Sequence, residues 1–131
     1  MQTTEKEKDK VLFRGLSYRL TGIFFRVHNQ LGRFRNEKQY GDGIAHELLQ
    51  EKILFQREYA LPLSFQGEEL GRNKIDFIID DAIIVEIKAK HILMKDDYYQ
   101  MKRYLVTMDK ELGILVNFRQ KYLTPKRVLH M

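Results

Sequence analysis

The stretch that decides the fold is residues 74–90, which read KIDFIIDDAIIVEIKAK. Two runs of β-branched and aromatic residues flank an Asp-Asp pair at 80–81, a residue type that favours turns. Ile75, Phe77 and Ile79 are expected to share one face of the first strand. Because apolar residues also occupy the opposite face, both strands are expected to lie inside a sheet. The stretch therefore predicts a central β-hairpin.

Three charged residues interrupt these apolar strands: Asp76, Glu86 and Lys88. A buried charge is costly, so each must be paired or must bind an ion. If the hairpin tip has three residues, 80–82, Asp76 lies opposite Glu86 on one face, with Lys88 further along it. A two-residue tip would place the two acids on opposite faces unless a bulge restored the register. We expect the three-residue tip.

Two carboxylates on adjacent rigid strands are typical ligands of a hard cation such as Mg²⁺ or Mn²⁺. A lysine beside such an ion can position a water and stabilise charge on a phosphoryl oxygen. The alternative is an ion-pair cluster on a half-exposed sheet, in which Lys88 simply neutralises Glu86. The spacing alone leaves both interpretations open.

The remaining elements follow from hydrophobic periodicity. Spacings of three and four predict helices over Leu16–Leu31, from about Glu37 to Glu51, and over Lys95–Lys110. Further strand-like segments are residues 53–65, where Pro62 favours an edge strand or a break, and residues 113–118 and 127–130. Residues 1–10 are polar and are expected to form a tail. The length of 131 residues predicts one α/β domain over residues 1–131.

The composition narrows the function classes. The 23 Lys and Arg exceed the 18 Asp and Glu, and the net charge of +5 weakly favours a polyanionic partner. The absence of cysteine excludes disulfides, Cys-ligated metals and thiol nucleophiles. No apolar run reaches membrane-spanning length, and no signal-peptide pattern opens the sequence, so a cytoplasmic location without membrane contact is expected.

Three ordered motifs together resemble a known superfamily. Asp76 followed by Glu86-Ile87-Lys88 resembles the D…(D/E)xK core of the PD-(D/E)XK nucleases. Glu37 with Tyr40 resembles the ExxY part of the bacterial GxxExxY family within that superfamily. Residues 100–104, QMKRY, resemble the QxxxY motif of its RecB-like and lambda-exonuclease-like branch.

The resemblance extends over about residues 16–129, and it has two departures. Phe34 stands where the GxxExxY motif has its glycine, and Ile75 stands where the superfamily has the proline before the aspartate. Neither departure removes an acid or the lysine.

The resemblance implies a PD-(D/E)XK fold, a small mixed β-sheet with a central hairpin flanked by helices. It implies metal-dependent hydrolysis of phosphodiester bonds, in DNA in preference to RNA, without strong sequence specificity. Mg²⁺ or Mn²⁺ would be held by the residues Asp76, Glu86, Glu37 and the backbone carbonyl of Ile87.

The same resemblance assigns roles to the other motif residues. Lys88 would orient the attacking water, Gln100 would contact that water, the lysine or the substrate, and Tyr104 would position a phosphate or a base. The alternative for the helix places Tyr104 in the core and Gln100 on the surface. For Glu37 the alternative is an acid that favours the helix dipole.

Basic residues could contact the nucleic-acid backbone, and the alternative is that they are solvated charges of a helix and of a solubilising C-terminal segment. These candidates are Arg103, Arg119, Lys121, Lys126 and Arg127. A homodimer or a larger DNA-processing complex remains open. The rival function is a non-catalytic nucleic-acid-binding or protein-interaction module that retains the nuclease fold, and a third interpretation is a domain with a surface ion network.

Overall fold

In the computed structural model, which describes residues 13–130, three helices and five strands form three layers. The predicted tail, residues 1–10, lies outside the described residues. The elements are α1 (Arg14–Leu31), α2 (Glu37–Gln50), β1 (Phe55–Ala60), β2 (Lys74–Ile79), β3 (Ile83–Lys88), α3 (Lys95–Met108), β4 (Leu112–Asn117) and β5 (Lys126–Leu129).

The helices begin and end close to their predicted bounds. Helix α1 ends at Gly32, whose φ of 76° is a conformation that glycine adopts readily. Helix α2 begins with a capping box, because Asn36 Oδ1 accepts from the Gln39 amide at 2.8 Å and Gln39 Oε1 accepts from the Asn36 amide at 3.0 Å. The cap places Glu37 at the first helical position. No helix within the described residues is long and apolar enough to cross a membrane.

The five strands form one mixed sheet in the order β1-β2-β3-β4-β5. Neighbouring strands are antiparallel except β3 and β4, which are parallel and are joined through α3. Strands β1 and β5 lie at the edges, and Pro62 follows the end of β1, as its residue type favours. The predicted fold class, a small mixed sheet with a central hairpin flanked by helices, is confirmed.

The hairpin has the three-residue tip that we expected. Ile79 pairs with Ile83, so residues 80–82 form the tip. Asp80 and Asp81 both have φ of 51°, a left-handed conformation that Asp adopts more readily than most residues. This register continues toward Asp76 and Glu86.

Each face of the sheet packs against its own helices. Helices α1 and α2 cover the face that carries Phe77 and Ile79, whereas α3 covers the face that carries Ile78 and Ile84. The expectation that Ile75 shares a face with Phe77 was wrong, because Ile75 packs on the α3 side. The regular pairing of β1 with β2 skips Glu58 and Asp76, and Glu58 has φ of 53°, so the alternation of faces is broken there.

Tyr40 connects the helix pair to the loop between them. Its ring is fully buried and stacks on Phe118 with the ring centroids 4.3 Å apart. Its hydroxyl donates to the Gly32 carbonyl at 2.6 Å and accepts from the Arg35 amide at 3.2 Å. These bonds fix residues 32–36 against the core.

Replacing Tyr40 with Phe tests this connection. The variant keeps the stacked ring but leaves the Gly32 carbonyl and the Arg35 amide without their partner. We expect the free energy of unfolding to fall by about 1–2 kcal/mol, measured by urea unfolding at equilibrium. Tyr122→Phe, at a tyrosine that is 79% exposed, is the matched control and should leave stability unchanged. Equal stability of Tyr40→Phe and wild type would contradict the role of the hydroxyl.

Candidate active site

The two acids of the hairpin exchange hydrogen bonds across it. Regular pairing of β2 with β3 ends at Phe77 and Val85. Beyond that pair, Glu86 Oε1 accepts from the Asp76 amide at 2.8 Å, and Asp76 Oδ2 accepts from the Ile87 amide at 2.7 Å. The structure therefore brings Asp76 and Glu86 together, and one oxygen of each carboxylate remains outside these backbone bonds.

The surroundings of this pair disfavour two negative charges. Glu86 is 4% exposed, and its burial, followed by the nearby Asp76 carboxylate, raises its pKa to about 8. Burial also raises the pKa of Asp76, with the Glu37 and Glu58 carboxylates adding to the effect and the Ile87 amide opposing it. The pair is therefore stabilised by a proton or by a bound cation.

Glu37 and Glu58 face the pair from two other elements. Both line a cavity of about 210 Å³ that also includes Asp76 and Ile87. Glu37 Oε2 accepts from the Ala89 amide at 3.3 Å, which connects the start of α2 to the end of β3. Glu58 was not among the predicted site residues, since in the sequence it resembles an ordinary polar residue of an edge strand.

Lys88 is held on the α3 side of the hairpin. Its Nζ donates to Gln100 Oε1 at 3.0 Å and lies 3.8 Å from Asp97 Oδ1. Among the described residues its ion pair is therefore with Asp97 and not with Glu86. The interpretation of Lys88 as the salt-bridge partner of Glu86 is not what the structure shows, and Gln100 lies beside the lysine.

Asp97 is the second acid that the sequence analysis missed. It is 7% exposed and accepts from Lys90 Nζ at 3.1 and 2.9 Å and from the Met94 amide at 2.7 Å. Burial opposes its charge, but the Met94 amide and the two lysines outweigh burial and hold the pKa of Asp97 below its usual range. Its position at the start of α3 carries no sign of this contact in the sequence.

Tyr104 is both a core residue and a neighbour of the acid pair, the two positions that the sequence left open for it. It is 5% exposed within the core on the α3 side. Burial, followed by the nearby carboxylates of Glu86 and Asp76, raises its pKa to about 12, so the hydroxyl stays protonated. Tyr104 is thus a core residue that lies close to the acid pair.

The basic residues predicted to contact nucleic acid differ in their positions and contacts. Arg119 lies beside Glu37 at a second cavity, and its Nε donates to the Arg33 carbonyl at 2.8 Å. Arg127 donates to Ser17 Oγ of α1 at 2.7 Å. Three further cations are exposed on the surface, namely Arg103, Lys121 and Lys126.

The chemistry of the donor set fits a hard divalent cation. Among residues 13–130, no three His, Cys, Asp or Glu side chains converge into a complete metal cage. Oxygen donors are nevertheless available at the cavity beside the acid pair: Glu37, Glu58, Asp76 and Ile87 line it together with the cations Lys38 and Arg57, and Glu86 is bonded to the Asp76 amide beside it. Because burial, with the nearby carboxylates adding to it, raises the pKa values of both acids, a divalent cation would supply the compensating charge.

Comparison with known proteins gives a family and a fold. A family model of the PD-(D/E)XK nuclease superfamily matches residues 14–128. The crystal structure of SSO0001 is similar, with a TM-score of 0.56 and 18% identity, over 93% of this chain and 61% of that chain. At this identity the likeness shows the fold alone, and the chain spans 61% of that protein's length. No curated protein matches the chain.

The contrast between Glu86 and Asp97 predicts opposite effects of two isosteric substitutions. The raised pKa of Glu86 means that the folded chain holds this proton more tightly than the unfolded chain. Wild-type stability should therefore fall as the pH rises from 4.5 to about 8. Glu86→Gln removes that loss, and at the upper end of this range it should be more stable than wild type by about 1 kcal/mol.

Asp97→Asn should have the opposite sign, because it removes the carboxylate that two lysines and an amide favour. We expect it to lower the free energy of unfolding by about 1–3 kcal/mol at neutral pH. Urea unfolding of both variants and wild type in a chelating buffer measures these differences. A stabilised Asp97→Asn, or a destabilised Glu86→Gln at the alkaline end, would contradict the electrostatic description.

Proposed function

Because the chain belongs to the PD-(D/E)XK nuclease superfamily, we propose that it hydrolyses phosphodiester bonds of nucleic acid with the help of a divalent cation. The observation that carries the proposal is the Asp76–Glu86 pair, a half-buried and a buried carboxylate fixed across the hairpin with Lys88 nearby. DNA is the proposed substrate, and the proposed cleavage has no strong sequence specificity.

The arrangement of two further motifs supports a finer assignment, to the GxxExxY family and the RecB-like and lambda-exonuclease-like branch. Glu37 begins α2 beside the acid pair, and Tyr40 anchors the preceding loop. Gln100 contacts Lys88, and Tyr104, one turn further along α3, lies near both acids. We propose Glu37, Gln100 and Tyr104, with Asp76, Glu86 and Lys88, as the catalytic set, and Tyr40 as a structural anchor.

Mg²⁺ or Mn²⁺ is the proposed cofactor. Asp76, Glu86, Glu37 and the Ile87 carbonyl would hold it, and Glu58 is a further acid at the same cavity. When bound, the ion would supply Lewis-acid polarisation of the scissile phosphate and would neutralise the carboxylates.

The chain's own groups supply positioning and charge. Gln100 and Asp97 hold the Lys88 ammonium in place, where it can stabilise negative charge on a phosphoryl oxygen. The protonated Tyr104 hydroxyl can donate a hydrogen bond. The cations proposed to contact the strand backbone are Arg103, Arg119, Lys121, Lys126 and Arg127.

The cytoplasmic location, the homodimer or larger DNA-processing complex, and the single-domain organisation of residues 1–131 stay predictions.

Hydrolysis is tested with linear, plasmid and single-stranded DNA, and with RNA, in Mg²⁺ or Mn²⁺. We expect wild type to cleave DNA, and Glu86→Gln and Lys88→Ala to lower the rate by about 100-fold or more, since the first removes a carboxylate proposed to hold the cation and the second removes the ammonium proposed to stabilise charge on the phosphoryl oxygen. Lys95→Ala, at an exposed lysine of α3, is the matched control and should cleave like wild type.

Equal cleavage by wild type and both site variants would contradict the proposal, as would no cleavage of any substrate. Retarded migration of nucleic acid without cleavage, lost at high salt, would instead support the non-catalytic module.

Metal binding is tested separately by thermal unfolding. Ligand that binds only the folded state raises the melting temperature, so Mg²⁺ or Mn²⁺ should stabilise wild type relative to a chelating buffer. Asp76→Asn should abolish this increase, whereas Asp96→Asn, at an exposed acid of α3, should retain it. An equal increase in both variants would show that the ion binds elsewhere.

A further inference from the structure

An exposed aromatic ring lies next to two guanidinium groups beside the acid cavity. Phe34 is 76% exposed, so most of its ring remains open to a ligand. The Cζ atoms of Arg33 and Arg119 lie over this ring, 5.0 and 5.7 Å from its centroid. We call these three residues the Phe34 platform.

The platform is held rigidly from both sides. Arg33 Nε donates to the Arg119 carbonyl at 2.9 Å, and Arg119 Nε donates to the Arg33 carbonyl at 2.8 Å. These reciprocal bonds use the Nε atoms and do not involve the two terminal nitrogens of either guanidinium group. The Tyr40 hydroxyl fixes the loop that carries Phe34, and Asn117 Oδ1 accepts from the Arg119 amide at 3.3 Å.

The platform adjoins the proposed active site. Phe34 and Arg119 line a cavity of about 550 Å³ together with Glu37 and Lys38. Glu37 and Lys38 also line the smaller cavity that contains Asp76. The two cavities therefore share two lining residues. The acids Asp76 and Glu58 line one cavity together with Arg57, and the Phe34 ring and Arg119 line the other.

This combination has the chemistry of a nucleotide subsite. Every nucleobase can stack on an open aromatic face, and cations nearby attract the phosphate backbone. Inside a duplex both faces of a base are covered by its neighbours, so stacking on a protein ring requires an unpaired base. The pairing of a ring with two guanidinium groups favours a polyanionic strand over a neutral or basic partner.

We propose that the Phe34 platform stacks an unpaired base of the nucleic-acid strand whose phosphodiester bond lies at the acid cavity. The inference rests on the proposed nuclease function and specifies its substrate class, a single-stranded or frayed strand. The stacked base holds the strand in register, and the guanidinium groups contact the adjoining phosphates.

The test measures the coupling between the ring and the base. Fluorescence anisotropy in a chelating buffer compares a labelled thymidine oligonucleotide with one of equal length built from abasic units, which keeps the phosphates. We expect wild type to bind the base-bearing strand roughly ten-fold more tightly, and Phe34→Ala to lose that preference. Phe34→Trp should keep it, and Phe34→Leu should behave like Phe34→Ala.

Tyr18→Ala is the matched control, since this tyrosine is 82% exposed and lies on α1 outside the shared cavities. It should retain the preference. Because Phe34 is exposed, its replacement removes little from the core, and urea unfolding of each variant verifies the fold. A preference that persists in Phe34→Ala, or that is absent from wild type, overturns the inference.

The binding experiment tests the Phe34 platform independently of the cleavage assay, which tests the nuclease function. Cleavage by wild type with no preference for base-bearing strands would retain the nuclease and overturn the platform. A preference that depends on Phe34, with no cleavage in Mg²⁺ or Mn²⁺, would support the platform as a strand-binding site and contradict hydrolysis.

Discussion

The exchange of hydrogen bonds between Asp76 and Glu86 is the constraint on which the rest of the site depends. A sheet normally pairs its backbone amides with carbonyls, but here two carboxylates accept from the amides of Asp76 and Ile87. The exchange satisfies these amides and fixes both acids, at the expense of placing like charges together in a buried position. Functional sites typically hold side chains in arrangements that lower the stability of the fold.

The elements around this acid pair place different groups on its two sides. Helix α3 provides the lysine's partners, Gln100 and Asp97, and a neutral phenol at Tyr104. The opposite, open side receives acids from α2 and β1. The loop anchored by Tyr40 ends at the cap of α2, so one buried ring fixes both the residues that carry Phe34 and the helix start that carries Glu37.

Local patterns were enough to predict the hairpin, its three-residue tip and the three helices. Charged residues within apolar strands pointed to Asp76 and Glu86. The Asp-Asp pair indicated a turn but left two tip lengths open, and the pairing of Ile79 with Ile83 confirms the three-residue tip that we expected. Glu58 and Asp97 could not be predicted in this way. Glu58 reaches the cavity through a left-handed backbone and pairing across a long loop, and Asp97 through the packing of α3 against the segment after β3. The same irregularity at Glu58 made the predicted face of Ile75 wrong.

The net charge of +5 does not show that acids and cations are concentrated at different places on the surface. On the proposed function, this separation affects the order of strand binding and cleavage. The acid pair disfavours a nearby phosphate until a proton or a cation compensates its charge, even with Lys38 and Arg57 in the lining of the cavity, whereas the guanidinium groups of the Phe34 platform would attract a phosphate strand without a metal ion. On the proposed function, affinity for the strand and chemistry on it would therefore depend on different halves of one surface. Glu37 and Lys38, which line both cavities, mark the boundary between them. A strand anchored at the ring would reach the acid pair only when a divalent ion has removed the repulsion there, which would couple cleavage to metal while leaving strand binding independent of it.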